Sequence, residues 1–230
     1  MDGSGRRRPL AGLGAAVAWA AAAACAAEPA TGGKPVRSMA EVRNEQVVRQ
    51  HWDLTCGAAA IATLLTYELG HPVSERDVVS AMLRRASPAL VRARLGFSLL
   101  DLKIYAATRG FAAAGYGGMT LDDLDAAAPA IVPITWLGFR HFVVYRGRQG
   151  GRVLIADPSF GNRTLSEAAF KASWAGGVGF VVFDPGQPHP PNRMGAPAGL
   201  FLAPAGQAQR AVAADATAPR ITTIQFGSMP

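Results

Sequence analysis

The sixteen residues QHWDLTCGAAAIATLL, from Gln50 to Leu65, place one cysteine directly before an apolar, alanine-rich run. Alanine and leucine favour helix, so we expect a helix that begins at or just before Cys56 and ends near Gly70. The unpaired amides and the dipole at a helix N-terminus favour the thiolate form of a cysteine, which is the nucleophilic form. Cys56 is therefore a candidate nucleophile, and the alternative is a small buried side chain.

The N-terminal residues have the order of a secretory signal. Arg6–Arg8 precede an apolar stretch that ends in small residues around Ala24–Ala26. This order predicts a signal peptide over residues 1–27 and an exported protein of the bacterial periplasm or cell envelope. A membrane anchor and a lipoprotein acylated at Cys25 are the alternatives, and the arginines also allow twin-arginine export. Cleavage would remove Cys25 and leave Cys56 as a single thiol, which cannot form an internal disulfide.

The length and composition predict one domain with appendages at both ends. The chain has 230 residues, of which 50% are hydrophobic and 17% are charged, so it can build a sizeable core. We expect a linker over residues 28–35, the domain over 36–185, and a loosely ordered tail rich in proline and alanine over 186–230. The formal charge of +7 falls to +5 without residues 1–27, which carry three arginines and one aspartate. Because the arginines are scattered, the sequence does not predict a nucleic-acid surface.

The order of the predicted elements indicates the fold class α+β, with N-terminal helices packed on a C-terminal antiparallel sheet. Three serine or threonine residues have an aspartate three positions later, a pattern of helix starts: Ser74, Ser98 and Thr120. Four short apolar runs predict strands: AIVPITW, HFVVYRG, RVLIADP and GVGFVVF, with a further helix at SEAAFKASW. Helices followed by antiparallel strands are typical of α+β proteins rather than of a doubly wound parallel sheet.

A cysteine nucleophile needs a base, and the chain has four histidines. His71 follows a helix end and His189 lies in the tail, so both are predicted to be solvated. His51 is close to Cys56 in sequence, but the pattern does not fix its direction. His141 opens an apolar strand, where a histidine is either structural or catalytic.

The hairpin formed by HFVVYRG and RVLIADP supplies a partner for His141. If its turn is centred on Gln149, His141 lies opposite Asp157, with β-carbons about 4.5–5.5 Å apart. A carboxylate at that distance would hold the imidazole in one tautomer, but a slip of one residue would separate the two, and a purely structural pair is the alternative. A thiolate, an imidazole and an orienting carboxylate are the groups needed for acyl transfer from a peptide bond. The backbone amide of Cys56 and the side-chain amide of Gln50 are candidate donors to the oxyanion.

With these residues in view, the chain resembles the C39 peptidases, papain-like cysteine proteases first associated with the removal of bacteriocin leaders. The resemblance covers Val36 to Pro185 and rests on several motifs in the family's order. They are Gln50 with Cys56-Gly57 after five intervening residues, then the run from His141 to Val144, then Asp157-Pro158 and Gly161. Several motifs in the right order are more specific than any one of them alone.

The resemblance implies a papain-like fold, no metal or organic cofactor, and a role for each motif residue. Cys56 would be the nucleophile, His141 the general base and acid, Asp157 the orienting carboxylate and Gln50 an oxyanion donor. The best-known members are N-terminal domains of ABC exporters that cut after Gly-Gly in a leader peptide. This sequence has an export signal and no transporter domains, so it is more similar to stand-alone exported members, some of which accompany bacterial functional-amyloid secretion. The Gly-Gly specificity is therefore not carried over.

The sequence thus predicts a cysteine endopeptidase that cleaves or processes a secreted or envelope polypeptide. Candidate partners are a co-encoded secreted protein, as substrate, and the envelope secretion machinery. The alternative is a non-catalytic C39-like module that binds peptides, although such modules usually lose the cysteine or the histidine, and both are kept here. A metal site formed by Cys56, His141 and Asp157 has little support, because the sequence lacks the close Cys/His spacing of paired ligands.

Overall fold

The computed structural model describes residues 37–187 and 192–195 of the 230-residue chain. In these residues most helices precede an antiparallel sheet, so the predicted α+β class is confirmed. None of the helices in the two ranges is both long and apolar enough to cross a membrane. The predicted signal peptide, the whole predicted linker, the first residue of the predicted domain and most of the predicted tail lie outside the described residues.

Capping motifs set many of the helix boundaries. The helices are α1 (Met39–Asn44), α2 (Cys56–Thr63), α3 (Glu75–Leu83), α4 (Pro88–Ala93), α5 (Leu99–Thr108), α6 (Leu121–Ala126) and α7 (Glu167–Ser173). The α2 helix continues into a π-helical turn at Leu64–Glu68, and a 3-10 turn follows α7 at Ala175–Gly177. The three predicted caps are confirmed, because Ser74, Ser98 and Thr120 each accept from the amide of the aspartate three residues later. Helices α1 and α4 were not predicted, because their six residues are too few to show a helical period. The capping box of Ser38 and Glu41 that begins α1 was missed, and α4 has no side-chain cap.

Six strands of the described residues form one antiparallel sheet. They are β1 (Ala112–Tyr116), β2 (Ala130–Trp136), β3 (Phe139–Gln149), β4 (Arg152–Asp157), β5 (Gly161–Ser166) and β6 (Gly179–Phe183), in the order β1-β6-β2-β3-β4-β5. The four predicted apolar runs correspond to β2, β3, β4 and β6. Both edge strands were missed, because β1 is mostly alanine and glycine and β5 is mostly polar, so neither shows an apolar run.

Helices cover both faces of the sheet. On one face α2, α3 and α5 form a core with the sheet, in which Ile61, Leu102 and Val144 are fully buried. On the other face α6 and α7 pack against residues such as Tyr145, which contacts Phe170. Because successive strand residues point to opposite faces, the parity of a position decides which layer its side chain enters.

The β3–β4 hairpin differs from the predicted register. A two-residue turn at Gly150–Gly151, both with positive φ, replaces the predicted turn centred on Gln149, which was wrong. Farther from the turn, Arg146 is an extra residue in β3, and this bulge shifts the register by one so that Val144 pairs with Ala156. The register is therefore set by the turn and the bulge together.

The bulge at Arg146 decides on which face Asp157 lies. Without the extra residue, the register near the turn would set Asp157 opposite Val144, on the face away from His141. With it, Asp157 lies beside Val143 and shares a face with His141 as its diagonal neighbour. The predicted direct opposition of His141 and Asp157 was wrong by two positions, and an even shift keeps the face.

Residues Asn192–Gly195, which we call the strap, pack against the domain. Met194 is fully buried in the core that contains α2. Its amide donates to Glu68 Oε2 at 2.8 Å, and its carbonyl accepts from Arg146 Nε at 2.7 Å. The expected loose order of the tail does not hold for these four residues.

Candidate active site

Cys56 is the first residue of α2, which confirms the predicted helix start. Its side chain is partly exposed, whereas every later residue of α2 is buried. The loop before it is held by Glu75, a buried carboxylate that accepts from the backbone amide of His51 at 2.9 Å and from the hydroxyl of Thr55. The thiol therefore lies at the end of a fixed, buried helix.

Gly57 lets α2 approach β3 next to His141. A β-carbon at this position would lie 3.3 Å from the ring of Phe142 and 3.7 Å from the methyl groups of Leu102. Phe142 directly follows His141 on β3, so a larger residue after Cys56 would push the helix away from the histidine. The glycine of the Cys-Gly motif thus has a packing reason.

His141 contacts Asp157 and is influenced by Cys56. Its Nε2 lies 2.8 Å from Asp157 Oδ1, and the nearby side chain of Cys56 favours the protonated imidazole. The imidazole is 14% exposed and the carboxylate is fully buried. Burial opposes the imidazolium form, but the hydrogen bonds and charges of Asp157 and Cys56 outweigh it and raise the pKa of His141 to about 9. At neutral pH the imidazole is therefore in its charged imidazolium form.

Asp157 is buried but stays charged. Burial alone would raise the pKa of this carboxyl group, but the hydrogen bond and charge of His141 outweigh the effect, with help from Ser159 and Arg163. The net result is a pKa of Asp157 below its ordinary value of 3.8. The Ser159 amide donates to Oδ1 at 2.9 Å, and Arg163 Nη1 lies 3.1 Å from Oδ2.

The turn after Asp157 joins the two halves of the site. Gly161 has a φ of +80° and pairs with Asp157 at the start of β5, and a β-carbon there would lie 2.4 Å from the carbonyl oxygen of Arg43. The carbonyl of Pro158 in this turn accepts from the amide of Gln50 and from Arg49 Nε, both at 3.0 Å. These bonds fix the segment before Cys56 against the strand that carries Asp157.

The side chain of Gln50 lies against the loop that leads to Cys56. Its Nε2 donates to the carbonyl of Trp52 at 3.3 Å, and the hydroxyl of Thr55 contacts the same oxygen. Because an amide nitrogen carries two N–H groups, one remains for another acceptor. Gln50 Oε1 is buried and has no hydrogen-bond partner among residues 37–187 and 192–195.

Two of the other histidines are accounted for by different contacts. The exposed ring of His51 places Nδ1 2.9 Å from the buried carboxylate of Glu75. The ring of His71 meets Phe111 edge-on, with centroids 5.6 Å apart. His189 lies outside the described residues. Within those residues, no cluster of three or more His, Cys, Asp or Glu side chains could hold a metal ion.

Comparison with known proteins identifies the family of the chain. The model of the Peptidase C39 family matches residues 44–185, which is more than half of the chain. The chain belongs to the C39 peptidase family. The match contains the loop before α2, the whole sheet and the turn after Asp157.

Two relatives of this C39 peptidase come from Pseudomonas. The chain is 38% identical over 158 residues to the probable functional amyloid protease FapD of Pseudomonas aeruginosa, covering 67% of this chain and 70% of the relative. It is 40% identical over 174 residues to the probable functional amyloid protease FapD of Pseudomonas fluorescens, covering 73% and 74%. The family and these relatives together make the protein a cysteine peptidase.

Solved structures of C39 peptidase domains share the fold. One is a double glycine motif protease from an AMS/PCAT transporter in complex with its leader peptide, with a TM-score of 0.50 and 27% identity over 60% of this chain and 90% of that chain. The peptidase domain of Streptococcus ComA has a TM-score of 0.50 and 22% identity, covering 60% and 96%. The papain-like α+β fold expected from the resemblance is confirmed.

Sequence reasoning missed three charged residues that surround the site of the C39 peptidase. Arg49 binds the turn after Asp157, Glu75 holds the loop before Cys56, and Arg163 contacts Asp157 directly. Their contacts join segments far apart in the chain, so no local spacing could reveal them. Arg163 is the exception, because it lies only six residues after Asp157. That closeness predicts a contact only if β5 is known to pair with β4.

Proposed function

We propose that this C39 peptidase is an endopeptidase that cleaves a secreted or envelope polypeptide through an acyl-enzyme formed on Cys56. The observation that carries the proposal is the contact of His141 Nε2 with Asp157 Oδ1 at 2.8 Å, beside a Cys56 side chain that helps to raise the pKa of the same ring. A polypeptide substrate is supported by the related protease that was solved with its leader peptide. An exported substrate and an envelope location are supported by the signal-like residues 1–27 and by relatives named functional amyloid proteases.

In the first half of the reaction, the Cys56 thiolate attacks the carbonyl carbon of the scissile peptide bond. A carbon–sulfur bond forms, and the carbonyl oxygen becomes an oxyanion. The imidazolium of His141 then gives its proton to the leaving nitrogen as the carbon–nitrogen bond breaks. The amine product leaves, and a thioester remains on Cys56.

In the second half, the now neutral His141 accepts a proton from a water molecule. The resulting hydroxide attacks the thioester carbon, the carbon–sulfur bond breaks, and the acid product leaves. The thiolate and the imidazolium are restored. Asp157 keeps Nε2 of the imidazole protonated throughout, so Nδ1 is the nitrogen that exchanges protons.

Two donors are available for the oxyanion. One is the backbone amide of Cys56 at the start of α2, and the other is the free N–H of Gln50 Nε2. Removing the Gln50 amide should lower kcat by about 100-fold, as for other single oxyanion donors. Alkylation of Cys56 by iodoacetamide forms no oxyanion, so Gln50→Ala should leave the alkylation rate nearly unchanged.

The test is cleavage of a proteome-derived peptide library by the full chain, with new N-termini identified by mass spectrometry. We expect cleavage by the wild type, none by Cys56→Ala and none by His141→Ala. A different outcome is that the wild type binds library peptides but cuts them no faster than Cys56→Ala does. That result would make the protein a peptide-binding module. Cleavage that survives in His141→Ala would overturn the proposed mechanism.

A further inference from the structure

Arg163 lies on the side of Asp157 away from His141. Its Nη1 is 3.1 Å from Asp157 Oδ2, while His141 Nε2 is 2.8 Å from Oδ1. Arg163 pairs with Ile155 across β4 and β5, so it is the diagonal neighbour of Asp157 on the same face of the sheet. The buried carboxylate is therefore held between a histidine from β3 and an arginine from β5.

The two oxygens of Asp157 are bound unequally. Oδ1 also accepts from the amides of Ser159 at 2.9 Å and Phe160 at 3.3 Å. Among the residues that the structure describes, Arg163 is the one donor to Oδ2. A carboxylate bound at one oxygen alone can turn about its last bond, whereas a donor at each oxygen fixes its plane. The contact with Arg163 thus sets the direction in which Oδ1 faces the imidazole.

Arg163 is itself held by two aromatic rings. Its guanidinium carbon lies 4.2 Å from the centroid of the Trp136 ring and 5.1 Å from that of Phe160. A planar guanidinium stacks well between rings, and each contact is stabilising. The two rings are partly exposed while the Arg163 side chain is only 21% exposed, so the rings cover the cation from solvent. The arginine is thereby kept in one conformation against Asp157.

We propose that Arg163 is a positioning residue of the active site, which fixes the Asp157 carboxylate through Oδ2 so that Oδ1 holds the His141 imidazole. This inference rests on the proposed function. The competing explanation is that Arg163 only links β4 to β5 and stabilises the sheet edge. The two explanations differ in what happens to the charges at the site.

Loss of the Arg163 charge should raise the pH at which the Cys56–His141 pair becomes reactive. The charged groups around Asp157 are His141 from β3, Arg163 from β5, Cys56 from α2 through the imidazole, and Arg49, which binds the turn after Asp157. Removing one positive charge disfavours a thiolate at Cys56, whereas it relieves repulsion of the His141 imidazolium. His141 is protonated on both sides of the acid limb, so the effect on the thiolate decides and moves the acid limb to higher pH.

The experiment compares Arg163→Gln and Arg163→Lys in the full chain. Alkylation of Cys56 by iodoacetamide is followed from pH 4 to 10 by mass spectrometry of the Cys56 peptide, and kcat and KM are measured on a library peptide that the wild type cuts. For Arg163→Gln we expect the acid limb to rise by about one pH unit. We also expect kcat to fall by roughly 10-fold to 100-fold, with KM nearly unchanged. Arg163→Lys keeps the charge but not the stacked plane, so the acid limb should stay and kcat should fall less.

Arg152→Gln is the matched control, because Arg152 lies on the neighbouring strand β4 and contacts Thr164 of β5. We expect a wild-type acid limb and kcat for this variant. If Arg163→Gln also has a wild-type acid limb and kcat, with only a lower melting temperature, Arg163 is structural and the inference is overturned. His141→Ala separates the two proposals, since cleavage that survives in it contradicts the proposed function whatever Arg163 does.

Discussion

Two buried carboxylates of this molecule behave in opposite ways. Asp157, in the candidate active site, is 0% exposed, and Glu68, at the end of the π-helical turn, is 1% exposed. The pKa of Asp157 is lowered, whereas burial raises the pKa of Glu68. Equal burial therefore does not decide the charge state of a carboxyl group.

The partners of the two groups account for the difference. Asp157 contacts two side chains that carry positive charge, His141 and Arg163. Glu68 accepts mainly from the backbone of the strap, with Oε2 2.8 Å from the amide of Met194, and the charge of Arg193 is a minor contribution. Backbone amides offset less of the desolvation than two cations do. The first site is suited to hold a charge, and the second is suited to hold a segment of chain.

Arg146 is the other half of the strap site. The residue is 1% exposed, and its guanidinium donates to uncharged oxygens: the carbonyl of Met194 at 2.7 Å, Asn162 Oδ1 at 2.8 Å, Gln46 Oε1 and the carbonyl of Glu45 at 3.5 Å. Burial lowers the pKa of Arg146 to about 10, which still leaves the group charged at neutral pH. Each charged group at the strap thus loses a hydrogen-bond partner if the strap is removed.

The largest effect is expected from removal of the strap. A chain that ends at Gln187 should have a free energy of unfolding lower by about 4 kcal/mol than a chain that ends at Gly195. The loss combines the buried Met194 side chain with the unpaired Glu68 and Arg146, each of which is costly. Urea unfolding of the two truncated chains measures the difference.

The two truncations are matched, because they differ only by the eight residues from Pro188 to Gly195. Met194→Ala in the full chain should reproduce about 2–3 kcal/mol of the difference, since its backbone contacts remain. Equal stability of the two truncated chains would show that the strap adds nothing to the fold.

The next largest effect separates the two carboxylates by activity. Asp157→Asn should lower kcat/KM by at least about 100-fold, because an amide can donate to the imidazole and favour the wrong tautomer. Glu68→Gln should leave kcat per folded molecule within about threefold, since the hydrogen-bond partners of Glu68 among the described residues belong to the strap. Activity assays on protein quantified as folded by circular dichroism compare the two. A similar loss in both variants would mean that the strap site and the active site are coupled through α2.

Much of this architecture could be predicted from the sequence, because its signals are local. Alanine-rich composition marked α2 with Cys56 at its start, hydroxyl caps marked three helices, and apolar runs marked the four inner strands. The candidate residues His141 and Asp157 were also named from the sequence and are in contact. Their catalytic roles, like that of Gln50, stay predictions.

What could not be predicted depends on contacts between distant segments. The bulge that sets Asp157 on the face of His141 occurs at Arg146, whose partners Gln46 and Met194 lie 100 and 48 residues away. A register counted from the turn alone contains no such information. His141 and Asp157 are still in contact because the predicted register was wrong by two positions, which keeps both side chains on one face. An error of one position would have placed Asp157 on the opposite face.

The smallest effect, and the most direct test of the comparison, is the pH dependence of stability across the ordinary carboxyl pKa values, from about pH 2.5 to 5.5. A carboxyl whose folded-state pKa is lowered stabilises the folded chain above its ordinary pKa, and this stability is lost as the pH falls through the folded-state value. Asp157 is such a group. For a carboxyl whose pKa is raised, the stability is present below the ordinary value and is lost as the pH rises through the folded-state value. Glu68 is of this second kind, with an ordinary value of 4.5.

The two variants should therefore give slopes of opposite sign. As the pH rises through this window, the wild type should gain stability relative to Asp157→Asn and lose stability relative to Glu68→Gln. Urea unfolding at four or five pH values measures both differences, and the window lies below the range in which unfolded histidine titrates. Slopes of the same sign would mean that burial, rather than the charge of the partners, governs both groups. In that case His141 and Arg163 would not be what keeps Asp157 ionised.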